Sequence, residues 1–138
     1  MSQPLAGKRV LLVDDDNDIL ISMHAAFEPT GAMIDQAADG NRAVELAEQN
    51  HPDVVVLDMM LPKRSGFLVL ERIKARRPRN APPHVIIITG NPGKRHQMYA
   101  ESLGAAEYFT KPVKLDKLVA AAERLVGVGP AGGAPAAA

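Results

Sequence analysis

The sequence predicts an α/β domain in which helices cover both faces of a parallel β-sheet. Five apolar runs recur along the chain, each followed by an amphipathic stretch, and this alternation is typical of β-α units. The third run, residues 54–57, is β-branched and shows no polar alternation, as expected of a strand buried on both faces. A length of 138 residues suits one domain with one core.

The first two β-α units occupy the first third of the chain. A strand is predicted at residues 8–14, and Asp15, Asp16 and Asp18 can supply the cap and the first-turn acids of the helix that follows. Residues 32–37 form a weaker strand, and Asp39 can cap the second helix. The inward stripes are predicted to be Ile19, Met23 and Phe27 in the first helix and Val44 and Ala47 in the second.

Three further units follow. Their strands are predicted at residues 54–57, 84–89 and 105–110. Residues 62–66 read as a turn, 76–83 as a loop and 90–93 as a break before a weak helix at 94–103, which we expect to be the most mobile element. Lys74 is predicted to lie at an exposed, basic helix end. The inward stripes are predicted to be Phe67, Leu70 and Ile73 in the third helix and Leu115, Leu118, Val119, Ala122 and Val126 in the last.

Composition narrows the classes of protein. No apolar run approaches the roughly 20 residues that a membrane helix needs, and the start lacks the apolar segment of a secretory signal. The absence of cysteine argues against a disulfide framework and thiol chemistry and fits the cytoplasm. Sixteen basic residues balance sixteen acidic ones, so no overall field favours nucleic acid. We therefore expect a cytoplasmic domain without membrane or direct nucleic-acid contact.

The ends of the strong strands carry the candidate chemistry. The first strand ends on Asp14 and Asp15, the third on Asp58 and the fourth on Thr89, and the fifth leads to Lys111. Because the carboxyl ends of parallel strands lie along one edge, these side chains should converge. Carboxylates can bind Mg²⁺ or accept a phosphoryl group, and ammonium and hydroxyl donors can stabilise the charge on phosphoryl oxygens.

The ordered set of motifs resembles the receiver domain of bacterial two-component response regulators. The matching elements, in chain order, are Asp14-Asp15, Leu57-Asp58-Met59-Met60-Leu61-Pro62, Thr89-Gly90 and Lys111-Pro112. The resemblance covers residues 8–126, and it leaves residues 1–7 as an extension and 127–138, rich in Ala, Pro and Gly, as a disordered tail. It implies a flavodoxin-like fold with strand order 2-1-3-4-5.

The resemblance also implies a role for each site residue. Asp58 would accept the phosphoryl group of a sensor histidine kinase or phosphotransfer protein, with Mg²⁺ held by Asp15, Asp58 and the backbone carbonyl of Met60. Asp14 would support the metal through water, and Lys111 would bridge to the phosphoryl group.

Signalling would follow from a switch pair, Thr89 and Tyr108. By the resemblance, a change at the face formed by the 94–103 helix, the 105–110 strand and the last helix would reach a downstream protein or a second copy of the chain. The domain would not be an enzyme beyond its own phosphorylation and slow dephosphorylation. Gly90 departs from the family, which usually has Ala there, and we hypothesise that the apolar Met60 slows hydrolysis of the acyl phosphate.

Other readings remain open from the residues. Asp14 and Asp16 have the D-x-D spacing of haloacid-dehalogenase-like phosphohydrolases, but only Asp116 stands where an acidic pair is needed beyond Lys111. A calcium loop at residues 14–25 lacks the required Gly and Glu. A binding module without phosphorylation is a further alternative. The basic residues at the end of the third helix and in the loop after it could contact nucleic acid or simply be exposed to solvent: Arg72, Lys74, Arg76, Arg77 and Arg79.

Overall fold

The computed structural model describes residues 3–78, 80–90 and 93–127. The strands are β1 (Arg9–Val13), β2 (Met33–Ala37), β3 (Val54–Asp58), β4 (His84–Thr89) and β5 (Glu107–Thr110). The helices are α1 (Asn17–Phe27), α2 (Gly40–Asn50), α3 (Gly66–Lys74), α4 (Lys94–Ser102) and α5 (Leu115–Leu125). A short 3₁₀ turn, Glu28–Thr30, follows α1. The predicted tail lies outside the described residues from position 128 onward.

The five strands form one parallel sheet in the order β2-β1-β3-β4-β5. This order confirms the predicted fold. β3 lies at the centre, and all five of its residues are buried, so its unbroken apolar run reflects cover on both faces. Within the described ranges, no helix is long and apolar enough to cross a membrane.

The sheet separates two apolar clusters, because successive residues of a strand point to opposite faces. Val55 and Leu57 of β3 pack with residues of α2, α3 and α4 on one face. Val54 and Val56 pack with α1 and α5 on the other. The buried residues of α1 are Leu20, Met23 and Phe27. We predicted Ile19 in place of Leu20, but Ile19 is only partly buried.

Side-chain caps set the starts of three helices. Asp16 accepts hydrogen bonds from the backbone N–H groups of Asp18 and Ile19, and Asp39 accepts one from Arg42 at 2.8 Å. That backbone bond is the main reason why the pKa of Asp39 is lowered. Ser65 caps α3. The caps predicted at Asp16 and Asp39 are therefore confirmed.

The prediction of an exposed Lys74 is wrong. Its side chain is buried, with 6% exposed, and its ammonium donates to the backbone carbonyls of Ala81 (2.7 Å), Pro78 (3.2 Å) and Pro83 (3.3 Å). The loop after α3 folds its carbonyls inward, where they need a donor. Lys74 supplies that donor, so its long stem turns into the protein rather than toward solvent.

The two edge strands each carry an acid that is tied to an arginine. Asp35 of β2 lies 3.4 Å from Arg9 and also accepts a hydrogen bond from Asn50. Glu107 of β5 lies 2.6 Å from Arg124 of α5. Each edge strand therefore carries a charged side chain that is paired within the domain.

Candidate functional site

The predicted site residues come together at the carboxyl edge of the sheet. Asp14 follows β1 and Asp58 ends β3, and these two strands pair directly. Thr89 ends β4, and Lys111 follows β5, where its backbone N–H donates to the Thr89 carbonyl at 2.7 Å. The parallel topology thus brings residues from four separate parts of the chain, between positions 14 and 111, into one cluster.

Three carboxylates form the centre of the cluster. Each of Asp14, Asp15 and Asp58 offers an oxygen within 4.8 Å of the others. Asp14 and Asp58 are buried, whereas Asp15 is exposed. Such crowding of like charges is unfavourable in a buried site and is relieved by a hard divalent cation.

The buried oxygen atoms of Asp14 are unequal. Oδ1 accepts a hydrogen bond from the backbone N–H of Asp16 at 2.9 Å. Oδ2 faces the Lys111 ammonium as an ion pair but receives no regular hydrogen bond from the described residues. A buried carboxylate oxygen with spare acceptor capacity, next to two further carboxylates, fits a cation-binding role.

Lys111 supplies the positive charge of the site. Its Nζ lies 2.9 Å from Asp14 Oδ2 and 3.4 Å from Asp58 Oδ2. Partial burial disfavours the charged ammonium, but the contacts with Asp14 and Asp58 outweigh burial and raise the pKa of Lys111. Lys111 is therefore held charged beside Asp58.

Asp58 is a buried acid with conflicting neighbours. Burial is the main cause that raises the pKa of Asp58, and the negative charge of Asp14 adds to it. The backbone N–H of Met60, which donates to Oδ1 at 3.2 Å, and Lys111 act in the opposite direction. The carboxylate is thus desolvated and flanked by donors, and a carboxylate in such surroundings has the chemistry to act as an oxygen nucleophile.

The other predicted residues lie on β4, on β5 and in the loop after β3. Thr89 is fully buried, and Tyr108 is partly buried and packs against the cluster on the α2, α3 and α4 face. Met60, in the loop after Asp58, is 67% exposed and is not part of the core. Asn91, two positions beyond Thr89 in the chain, lies outside the described residues.

A glycine that sequence reasoning treated only as a turn residue shapes the loop after Asp58. A Cβ on Gly66 would lie 2.5 Å from Met59 Cα and 2.8 Å from the Asp58 carbonyl oxygen. The Gly66 N–H also donates to the Met59 carbonyl at 3.0 Å. Close backbone approach is a reason for glycine, and its position at the start of a helix beside the acidic strand end was the available signal.

The residues of the phosphohydrolase alternative are divided between different tasks. Asp16 caps α1 through its side chain, and Asp116 is exposed in the first turn of α5. Asp58, by contrast, lies directly beside Lys111 and Asp14. The geometry therefore favours Asp58 over Asp14 as the nucleophile.

Comparisons with known proteins agree with this geometry. The family model described as a response regulator receiver domain matches residues 10–123. The DNA-binding dual master transcriptional regulator RpaA of Synechocystis is 34% identical over 118 residues, covering 86% of this chain and 48% of that protein. Protein PilH of Pseudomonas aeruginosa is 32% identical over 111 residues, covering 80% of this chain and 91% of PilH.

Solved structures lead to the same group of folds. The receiver domain of the Francisella response regulator 1452 has a TM-score of 0.77 at 30% identity, covering 86% of this chain and 95% of that one. A CheY-like receiver domain protein from Methanospirillum hungatei has the same TM-score and identity and covers 86% and 94%. The chain spans about half the length of the transcriptional regulators that it matches.

Proposed function

Because the chain belongs to the response regulator receiver domain family, we propose that it is a signalling switch controlled by phosphorylation of Asp58. The observation that carries this proposal is the placement of Asp58: it is buried at the end of the central strand, with Lys111 at 3.4 Å and two further carboxylates close by. A carboxylate in these surroundings can accept a phosphoryl group, and the cation and ammonium can stabilise the charge that develops.

Asp15, Asp58 and the Met60 backbone carbonyl would hold Mg²⁺, and Asp14 would support it through water. The spare acceptor capacity of Asp14 Oδ2 and the crowding of three carboxylates support this assignment. When bound, the ion neutralises negative charge on the phosphoryl oxygens.

The residues of the chain account for the remaining requirements of transfer. An oxygen of Asp58 forms the new bond to phosphorus while the bond from phosphorus to the donor, a histidine nitrogen or an acyl oxygen, breaks and the electron pair leaves with the donor. Lys111, held charged by Asp14 and Asp58, faces the phosphoryl oxygens. The donor would be a sensor histidine kinase or a phosphotransfer protein.

The signal would pass from Thr89 to Tyr108. The Thr89 hydroxyl would turn toward the new phosphoryl group, and the half-buried Tyr108 ring would follow it inward. This movement of Tyr108 would change the surface formed by α4, β5 and α5. A downstream protein or a second copy of the chain would bind that surface. Direct nucleic-acid contact by this domain is not favoured, because Lys74 is buried and Arg72 is paired with Glu48.

The exposed side chain of Met60 would govern the lifetime of the phosphorylated state. An apolar side chain beside Asp58 orders no attacking water, so hydrolysis of the acyl phosphate should be slow. Met60→Glu or Met60→Asn should shorten the lifetime. An unchanged or longer lifetime in both variants would contradict this role.

The first experiment is to incubate the protein with acetyl phosphate, with and without Mg²⁺, and to weigh it by intact mass spectrometry. We expect a gain of one phosphoryl group, about 80 Da, that needs Mg²⁺ and is lost in Asp58→Asn. Asp116→Asn, which changes an exposed acid of α5, is the matched control and should still be phosphorylated.

Two results would redirect the proposal. An adduct that survives Asp58→Asn and disappears in Asp14→Asn would favour the phosphohydrolase alternative. No adduct in any sample, together with no binding of beryllofluoride, would favour a binding module that does not use phosphorylation.

A further inference from the structure

A concave site lies at the opposite edge of the sheet from Asp58. We call it the α2–α3 cavity, because it lies between the carboxyl ends of α2 and α3 and is closed by the loop before β4. Its volume is about 520 Å³. The apolar part of its lining comes from Val44, Ala47, Ile73, Pro82 and Pro83.

The charged part of the lining is mainly basic. Arg72 is already engaged, since its guanidinium binds Glu48 at 2.7 Å. Arg76 and Arg77 also line the cavity, and within residues 3–78, 80–90 and 93–127 neither forms an ion pair; Arg77 makes only a 3.5 Å contact to the Pro82 carbonyl. Two guanidinium groups are therefore available to an anion.

Backbone conformation marks the same cavity. His51 (φ 50°) and Arg76 (φ 62°) are two of the three non-glycine residues with positive φ in the described part of the chain, and both line the cavity. His51 directly follows α2, and Arg76 lies one residue beyond the cap of α3; at such positions the left-handed conformation favours Gly or Asn. The chain instead keeps an imidazole and a guanidinium there, although both backbones are in a conformation that disfavours them.

A fixed positive charge lies beneath the loop that closes the cavity. The buried ammonium of Lys74 donates to the carbonyls of Pro78, Ala81 and Pro83. It holds the segment that contributes Pro82 and Pro83 to the lining, and it offsets the negative potential expected at the carboxyl end of a helix. The Lys74 ammonium therefore fixes the position of one wall of the cavity and contributes a positive electrostatic potential to it.

We propose that the α2–α3 cavity binds a small molecule in which an apolar ring carries a phosphate or carboxylate group. The volume lies within the range of small-molecule sites, the aliphatic and proline lining suits a ring, and the planar guanidinium groups of Arg76 and Arg77 match an anionic group. This ligand would act separately from phosphorylation, since none of the acidic-site residues lines the cavity.

The test is an NMR titration of the full chain without Mg²⁺. The probes share one ring: 1-naphthyl phosphate, 1-naphthoate and the uncharged control 1-naphthalenemethanol. We expect amide shifts at the end of α2 and in residues 75–83, with at least tenfold tighter binding of one charged probe than of the control. The two charged probes distinguish phosphate from carboxylate.

Two variants separate binding from folding. Arg76→Gly removes the guanidinium while suiting the left-handed backbone, so it should weaken charged-probe binding at least tenfold while Tm stays unchanged or rises. Arg77→Gln should also weaken binding. Arg95→Gln, at an exposed position of α4, should have no effect.

Four outcomes would overturn the proposal. One is no saturable binding of either charged probe. A second is binding that is unchanged in both Arg76→Gly and Arg77→Gln, and a third is amide shifts that centre on Asp58 and Lys111. The fourth is saturable binding of a hexaglutamate peptide in the cavity with neither charged probe bound, which would assign this surface to an acidic protein partner.

Discussion

Replacing Lys74 by methionine removes a buried ammonium while keeping a side chain of similar length. Three backbone carbonyls lose their donor, the nearest of them at 2.7 Å. A hydrogen bond from a charged group is worth about 1.5–3 kcal/mol. Since two of the three bonds are long and water can reach part of the opened loop, we expect the loss to equal about two bonds at the lower end of that range, or about 3 kcal/mol in the free energy of unfolding. For a chain of this size Tm should fall by about 10 °C.

The measurement is urea and thermal unfolding, with Arg72→Met as the matched control. Arg72 is on the same helix but forms an exposed ion pair with Glu48, so its loss should change stability by less than about 1 kcal/mol. A second readout is His84, whose pKa is lowered by burial and then by the charge of Lys74. The pKa of His84 should rise in Lys74→Met. Equal, small losses in both variants with an unmoved His84 titration would refute the reasoning.

Three further predictions concern the acidic site. Mg²⁺ at one hundred times its Kd should stabilise the folded state by about 2.7 kcal/mol and so raise Tm in differential scanning calorimetry. Asp15→Asn should make this rise in Tm smaller. The pKa of Asp58 is raised above its ordinary 3.8, so the stability contributed by its bound proton is present below pH 3.8 and is lost as the pH rises through the folded pKa. Because the charged carboxylate is then unfavourable in the folded state, Asp58→Asn without Mg²⁺ should raise Tm at pH 8 but not at pH 3. Gly66→Ala should destabilise by about 1–3 kcal/mol because its Cβ would strike Met59, whereas Gly90→Ala, with open space around it, should leave the urea midpoint unchanged.

The sequence could predict the sheet because its signals are local and strong. The unbroken apolar run of β3 and the acids at the ends of β1 and β3 follow from burial and from parallel topology, and Asp14, Asp15 and Asp58 are indeed found together. The resemblance then supplied the strand order, which local patterns do not contain. The proposed roles of Thr89 and Tyr108 stay predictions.

What the sequence could not predict depends on contacts between distant segments. Lys74 reads as a solvated lysine because only the folded loop shows the three carbonyls that it meets. The strand β5 begins at Glu107 rather than at residue 105, since its ladder with β4 sets its start. His51 and Arg76 carry no sequence signal of a left-handed backbone, because most such positions are occupied by glycine.

The paired acids on the outer strands have a consequence for self-association. An open sheet leaves a row of backbone N–H and C=O groups on each side, and these can template a strand from another molecule. On β2 and β5, a second chain would have to place its own strand beside the charge of Asp35 or Glu107. Removing the charge at Asp35 would weaken this barrier and make the β2 side the first place from which aggregation could spread.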